Sequence, residues 1–446
     1  MELADALQDI ITKFAKHLEI KGVDYVFFGS PTGDKLLRGD LDVYSPNEPR
    51  FDEAVKTFCQ HYQLLLVGKT FHATGVRYDI AFKLEGATYI FPGPDLLKYP
   101  TWKVKGKLNV DFTSVIKHRE RSPNGYFEPN NHSAFLFYLI KKIDKKAISK
   151  LEFDYLVSLY NAQERNIDSA LQQLWKAKGS DVALCFKQKD MVGFESISEA
   201  LFEELASQQS FDFERLFYNI KRIAFRLSKR TGLHVVFMGP DGSGKSTIIS
   251  LSTPLLKNSF RGVEYIHFRP NLANKSSQSG YSVVSDPHKS KARGYLGSLM
   301  KLCYLVGDYF IGYLVKVLPL LVKSRLVMFD RYYQDLMVDP IRYRHKGPNW
   351  CLTLLGKIVP NPDLFILMDA PAEVLQERKQ EVSIEESRRQ RDAYLELFEQ
   401  LPNAYVVDTS KNIDDAVNET VGILVNYMSR RLTTRNESKL SYGQKN

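Results

Sequence analysis

A chain of 446 residues is too long for one ordinary domain and predicts two or three. Apolar residues at 44% and charged residues at 25% are ordinary for a folded protein with a sizeable core. The 61 basic residues against 52 acidic ones leave a formal +9, which suits phosphorylated ligands or an anionic surface. No stripe alternates basic with aromatic residues, which argues against nucleic acid as the main partner.

In chain order, the start MELADALQDIITKF has neither a basic opening nor an apolar run, so it does not read as a secretory signal. Leu3, Leu7, Ile10, Ile11, Phe14 and Leu18 recur at helical spacing over residues 3–20. A strand is predicted at Val23–Phe28, ending in Gly29-Ser30, and a second at Leu41–Tyr44 just after Arg38-Gly39-Asp40. A helix at about 51–63 and strands near 64–67 and 77–83 complete an alternating α/β opening over residues 1–130. From Asn131 the pattern turns helical, with helices predicted at Ala134–Ile148, Leu151–Gln163, Ile167–Ala177, Ile197–Ser207 and Phe211–Ser228. This accessory segment, 131–228, ends at the basic, glycine-containing hinge Lys229-Arg230-Thr231-Gly232, read as a domain boundary.

Beyond the hinge, Leu233–Met238 is an almost continuous apolar run, as expected of a central parallel strand covered on both faces. Further strands are predicted at Glu264–Phe268, Leu326–Phe329, Leu364–Met368 and Ala404–Val407, with helices between them, a doubly wound α/β rhythm over 229–430. Asn271–Lys291 is polar and rich in Ser and Lys and reads as a mobile loop. Leu299–Val322 is the most hydrophobic stretch. Lys301, Asp308 and Lys316 interrupt it, so it is read as a buried core helix and not a membrane span. The basic, polar end, 431–446, is expected to fray. Cys59, Cys185, Cys303 and Cys351 are scattered without a C-x-x-C pair, which argues against a zinc site or a disulfide framework and predicts a reducing, cytoplasmic setting. The nine histidines show no metal-ligand spacing.

The strongest motif is Gly239-Pro240-Asp241-Gly242-Ser243-Gly244-Lys245-Ser246-Thr247, which fits G-x-x-x-x-G-K-[ST] at every fixed position. Its context fits too: an apolar strand before it and a helical run after it. The glycines let backbone N–H groups turn inward onto phosphate oxygens, and the helix N-terminus adds positive potential. Lys245 is placed to reach the β and γ phosphates of ATP, and the Ser246 hydroxyl to ligate Mg2+. Pro254 falls inside the helix that follows and removes the hydrogen bond to the Ser250 carbonyl, predicting a kink.

With its flanks, Val236–Thr247 resembles the loop of thymidylate kinases, F-E-G-x-D-G-x-G-K-[ST], and Leu326–Tyr332 resembles the strand that carries that family's D-R-Y. The resemblance implies that Asp241 faces a monophosphate acceptor, Asp330 assists the magnesium shell, and Arg331 holds the acceptor phosphate. A third match, Pro371–Leu397, implies a lid that supplies arginines, with Arg378 the first candidate and Arg388, Arg389 and Arg391 behind it. A solvated amphipathic helix is the alternative reading. Three features depart from the family. Met238 stands where glutamate is usual, E-P-G-G is absent, and YYQDLMVDPIRYR adds Asp335, Asp339, Arg342 and Arg344, a pattern typical of divergent members. The implied partners are a nucleotide and a phosphorylated small acceptor.

A second constellation lies at the front: Gly29-Ser30, then Asp40-Leu41-Asp42, then Asp79 within the strand Arg77–Phe82. Alternation puts Asp40 and Asp42 on one face of a strand, as a magnesium clamp on a triphosphate requires. Ser30 and the turn amides are placed to hold a phosphate, with Lys35 and Arg38 in the same loop. The set resembles the minimal nucleotidyltransferase pattern; Asp111 is the alternative to Asp79 as third carboxylate. The sequence thus predicts an α+β nucleotidyltransferase-like domain, a helical segment and a phosphate-loop kinase domain. The alternative function is a nucleotide-binding sensor with little turnover. A homodimer is compatible with the sequence, which does not fix the oligomeric state.

Overall fold

The computed structural model describes residues 2–29, 41–99, 103, 113–208, 210–272, 294–380 and 382–442. Contacts divide the chain into two compact units, Met1–Leu84 with Phe91–Ala224, and Glu85–Ile90 with Phe225–Asn446. The front strands and the helical stretch, separate in the sequence reading, share the first unit.

In that unit α1 (Leu3–Ile20) buries Leu7, Ile10, Ile11, Phe14 and Leu18, the stripe its spacing predicts. Five strands, β1 (Val26–Phe27), β2 (Asp42–Tyr44), β3 (Leu65–His72), β4 (Gly75–Leu84) and β5 (Ala87–Leu97), form a sheet in the order β1-β2-β5-β4-β3. Helix α2 (Glu48–His61) follows β2 and opens on Asn47, whose side chain accepts from the Arg50 amide. β1 and β2 run antiparallel, β2 and β5 parallel, β3 and β4 antiparallel. The sheet is therefore mixed, as in an α+β unit.

The helices that follow are α3 (Asn131–Lys145), α4 (Lys150–Ala162), α5 (Glu164–Trp175), α6 (Ala177–Gln188), α7 (Met191–Ser207) and α8 (Phe213–Ser228). A core of Phe135, Phe153, Tyr160, Trp175 and Phe186 joins α3 to α7, and the buried Trp175 indole donates to the Leu201 carbonyl at 3.1 Å. Helix α6 is not foreseen in the sequence reading.

The second unit carries a wholly parallel sheet, β12-β11-β8-β10-β9, built from β8 (Leu233–Met238), β9 (Val263–His267), β10 (Leu326–Asp330), β11 (Leu364–Asp369) and β12 (Ala404–Asp408). Every residue of β8 and of β10 is buried, as near-continuous apolar runs require in a sheet covered on both faces. The chain leaves β8 toward β9 and β10 and then crosses to β11 on the other side. Its direction reverses beside β8, the point at whose carboxyl edge sheets of this kind bind their ligands.

Helix α9 (Lys245–Leu256) holds Pro254 in its last turn and tightens into a 3-10 turn at Lys257–Ser259, so the proline ends the helix and leaves its first turns intact. Two expectations are corrected. The hydrophobic stretch forms α10 (Tyr295–Gly312), a π-helical turn and α11 (Leu318–Val322), ahead of the short helices α12 (Asp335–Val338) and α13 (Asn349–Gly356), and buries only one face. Leu302, Leu305, Val306 and Tyr309 join the core while Met300, Ile311 and Val315 are exposed. Among the described residues Tyr295–Val322 is the one helical stretch long and apolar enough to cross a membrane, by length and composition alone. The tail expected to fray from residue 431 instead continues α16 (Ile413–Tyr442). Arg431 and Arg435 hold it by donating to the carbonyls of Gly232 and Arg230, each at 2.9 Å. The segment read as a mobile loop falls, from residue 273 on, outside the described residues.

Candidate active site

The parallel register sets Asp330 beside Phe237, and the Arg331 amide donates to the Phe237 carbonyl at 2.9 Å. The carboxyl end of β10 is thereby fixed against the loop that leaves β8. Two glycines shape that loop. Gly239 has a φ of 140°, and a Cβ there would lie 2.5 Å from the Met368 carbonyl oxygen. Gly242 has a φ of 84°, and a Cβ would lie 2.9 Å from the Leu375 carbonyl oxygen. Side chains are excluded by neighbouring backbone and by conformation alike.

Lys245 is buried and folds back over the loop. Its ammonium donates to the carbonyls of Gly239 at 2.8 Å and Pro240 at 2.7 Å, and to the Ser243 hydroxyl at 3.3 Å. Burial pushes its pKa down to about 8, with the Arg331 charge adding to the effect. Ser246, at the second position of α9, donates from its hydroxyl to one Asp330 oxygen at 3.1 Å. The Tyr265 hydroxyl on β9 donates to the same oxygen at 2.8 Å. The other Asp330 oxygen is buried without a hydrogen-bond partner among the described residues. A buried carboxylate with one oxygen unsatisfied, next to a serine hydroxyl, offers two of the oxygens that a hard divalent cation could take. Tyr265 carries no motif; only its position on the strand beside β10 marks it.

Asp241 is gripped by two guanidinium groups, those of Arg331 and Arg342. Arg331 has a φ of 73°, uncommon for a side chain with a Cβ, and its Nη1 lies 3.6 Å from Asp335. Asp335 is fixed in turn by the Tyr394 hydroxyl at 2.6 Å and the Tyr332 amide at 2.7 Å. Burial raises the Asp335 pKa, against the pull of Arg331. Asp339 caps the Arg342 amide at 3.0 Å and accepts from Gln390 at 3.1 Å. The D-x-x-x-D-P-x-R pattern, visible in the sequence as a departure from the family, thus links Asp241 and Arg331 to α15 (Ile384–Gln400).

The arginines of the third match are placed differently from one another. Helix α14 (Ala372–Arg378) ends against the loop, its Arg378 Cβ 3.6 Å and Lys379 Cβ 3.4 Å from where a Cβ on Gly242 would stand. The Arg378 guanidinium donates to the Thr409 carbonyl at 2.8 Å. Arg388 pairs with Glu373 at 2.6 Å, Arg389 with Glu386 at 2.7 Å, and Arg391 holds Asp369 through two bonds of 2.7 and 2.9 Å. All three are engaged with carboxylates, Arg388 with one on α14, Arg389 with one on its own helix and Arg391 with one on β11 (Leu364–Asp369). Arg269 is likewise committed to Asp308, at 2.9 Å. Thr247 follows Ser246 in the first turn of α9.

In the front unit, Ser30, Lys35, Arg38, Asp40 and Asp111 lie outside the described residues. Gly29 ends the β1 segment with a φ of 87°. Asp42 on β2 pairs with Lys141 of α3 (Asn131–Lys145). Asp79 is not its neighbour. It lies on β4, beyond β5, is fully buried, and pairs with Arg77 at 3.1 Å. The carboxylate in parallel register with Asp42 is Asp95 on β5, which bonds His72 at 2.6 Å. The sequence reading misses Asp95 because β5 itself is missed.

A parallel sheet with a glycine-rich loop between its central strand and a helix, and a carboxylate delivered beside the loop's serine, defines a phosphate-loop phosphotransferase. Residues 237–420 match the family model described as thymidylate kinase. The chain is similar to the thymidylate kinase of Staphylococcus haemolyticus, 25% identical over 208 residues, covering 44% of this chain and 98% of that protein. It is also similar to that of Ligilactobacillus salivarius, 26% identical over 215 residues, covering 44% of this chain and 99% of that protein. The C-terminal half is thus similar to thymidylate kinases over nearly their whole length and is a kinase-like phosphotransferase. Among solved structures, thymidylate kinase from Ehrlichia chaffeensis is 18% identical, covers 43% of this chain and 98% of its own, and gives a TM-score of 0.32.

Proposed function

We propose that the C-terminal half moves the γ-phosphoryl group of ATP, with magnesium, onto a nucleoside monophosphate or another phosphorylated small acceptor in the cytoplasm. Thymidylate is the acceptor that the relatives' names suggest. The observation that carries this reading is the contact of Ser246 with Asp330 at 3.1 Å, with the second Asp330 oxygen buried and unbonded. The two residues would hold the magnesium ion, which when bound draws charge from the transferring phosphates. An oxygen of the acceptor forms a bond to the γ phosphorus as the bond to the bridging β–γ oxygen breaks, and ADP leaves. Backbone amides from Asp241 to Lys245 cradle the donor phosphates. Lys245 exchanges its loop carbonyls for phosphate oxygens. Arg331 orients the acceptor, and Arg378, beside Gly242, supplies positive charge near the donor.

The front unit is proposed as a nucleotidyltransferase-like domain that uses Gly29, Ser30, Asp40 and Asp42. Asp95 fits as third carboxylate better than Asp79, because it stands on the strand beside Asp42. Incubation with γ-labelled ATP, magnesium and a panel of nucleoside monophosphates and sugar phosphates tests the kinase reading. Label is expected in an acceptor with the wild type and not with Lys245→Ala. Tight ATP binding with no transfer and no hydrolysis would instead make the protein a nucleotide sensor. With α-labelled nucleotides, incorporation that survives Asp42→Ala would remove the second activity.

A further inference from the structure

Outside the D-R-Y segment, one side chain reaches the loop from an unexpected place. Arg342 follows the Asp339-Pro340 turn, and its Nη1 bonds one oxygen of Asp241 while Arg331 bonds the other. We propose that Arg331 and Arg342 together form a two-armed fork for the dianionic phosphate of the acceptor, with Asp241 as the residue that lashes the arms side by side. This rests on the kinase reading above and assigns a binding role to Arg342.

The argument begins with charge. Asp241 neutralises one guanidinium, so Arg331 paired with Asp241 alone would be a poor receptor for a dianion. Adding Arg342 leaves the trio with one net positive charge. Two guanidinium groups repel each other unless an anion stands between them, and Asp241 is that anion when no acceptor is bound. Asp241 takes one donor from each arm. Each guanidinium has five N–H donors, and two forks can serve the three terminal oxygens of a phosphomonoester. No hydrogen bond from the Nε or Nη2 of Arg342 occurs among the described residues.

The arms are also held for the task. Asp339 fixes the Arg342 backbone and is itself held by Gln390, while Asp335 braces Arg331 and is held by Tyr394. The Tyr343 ring, next in sequence, stacks on Phe268 with centroids 4.9 Å apart, which pins the turn that delivers Arg342. The Arg331 side chain is 9% exposed and that of Arg342 is 25% exposed, so one arm is buried and the other borders solvent. An acceptor phosphate entering from solvent meets Arg342 first.

The test fills the loop with magnesium AMP-PNP, so that added phosphate cannot settle there, and then titrates inorganic phosphate by calorimetry. Arg342→Gln and Arg342→Lys are both expected to weaken phosphate binding about tenfold or more, because a lysine cannot hold Asp241 and an anion with one planar group. Asp241→Asn is expected to weaken it as well, and AMP-PNP affinity is expected to be unchanged in the two Arg342 variants. Lys323→Gln, an equal loss of charge before the opposite end of β10, is expected to bind phosphate as the wild type does. Wild-type phosphate affinity in both Arg342 variants would overturn the fork. So would tighter binding in Asp241→Asn, which would mean the carboxylate merely competes for the arms. Failure of the wild type to bind magnesium AMP-PNP would instead count against the kinase reading itself.

Discussion

His234 sits in the central strand with both ring nitrogens buried and without hydrogen-bond partners among the described residues. Its ring packs 5.0 Å from that of Phe329 and 5.7 Å from that of Tyr332. Burial pushes its pKa from 6.5 down to about 4, so it is neutral in the folded state at physiological pH. The unfolded chain takes up a proton at this residue below 6.5, and the folded chain only below about 4. The stability it contributes is full above 6.5 and is lost as pH falls through that window, by about 3 kcal/mol in all. His234→Phe is expected to keep neutral-pH stability and to flatten the acid limb. Urea midpoints at about pH 7 and about pH 4.5 read this out; equal acid sensitivity in the variant would assign the acid limb to other groups.

At the scale of elements, α16 (Ile413–Tyr442) closes the kinase-like unit by reaching back to the start of β8 (Leu233–Met238). Arg431 and Arg435 satisfy the carbonyls of Gly232 and Arg230, and Arg431 also lies 3.6 Å from Asp363. Replacing both arginines with alanine is expected to cost about 2 kcal/mol, one net charged hydrogen bond or two weaker ones. A urea midpoint unchanged in the double variant would show that the apolar face of α16, with Val417, Val421 and Leu424, suffices. Two other elements show where pattern reading fails. β5 (Ala87–Leu97) contains Pro92 and Pro94, and prolines argue against a strand with neighbours on both sides, yet it lies between β2 and β4. α6 (Ala177–Gln188) has Gly179 in its first turn, which weakens a helix in isolation. Here the glycine is needed, since a Cβ would stand 2.4 Å from the Leu171 carbonyl oxygen.

At the scale of the molecule, the two units have separate cores, one around Trp175 and Phe186 and one around Phe329, Tyr332 and Phe365. A separate core gives each unit the means to unfold cooperatively by itself. Calorimetry is expected to resolve two transitions. Magnesium AMP-PNP at about a hundred times its Kd should raise the one belonging to residues 225–446 by roughly 5–10 °C and leave the other in place. A single transition that moves as a whole would show that the units unfold together.

The sequence by itself determined the parallel sheet of the second unit and the loop at its centre. Apolar runs such as Leu233–Met238 can only be buried on both faces, and G-x-x-x-x-G-K-[ST] is a local backbone requirement written in consecutive residues. Asp330 and Arg331 were legible for the same reason, as the end of one short strand. The tertiary structure alone decided that Arg342 meets Arg331 on Asp241, that Tyr265 reaches Asp330, and that Asp95, not Asp79, faces Asp42. Those pairs join residues far apart in the chain or on strands whose order is set by packing. Strand order and register depend on which faces bury together, and no local spacing encodes that.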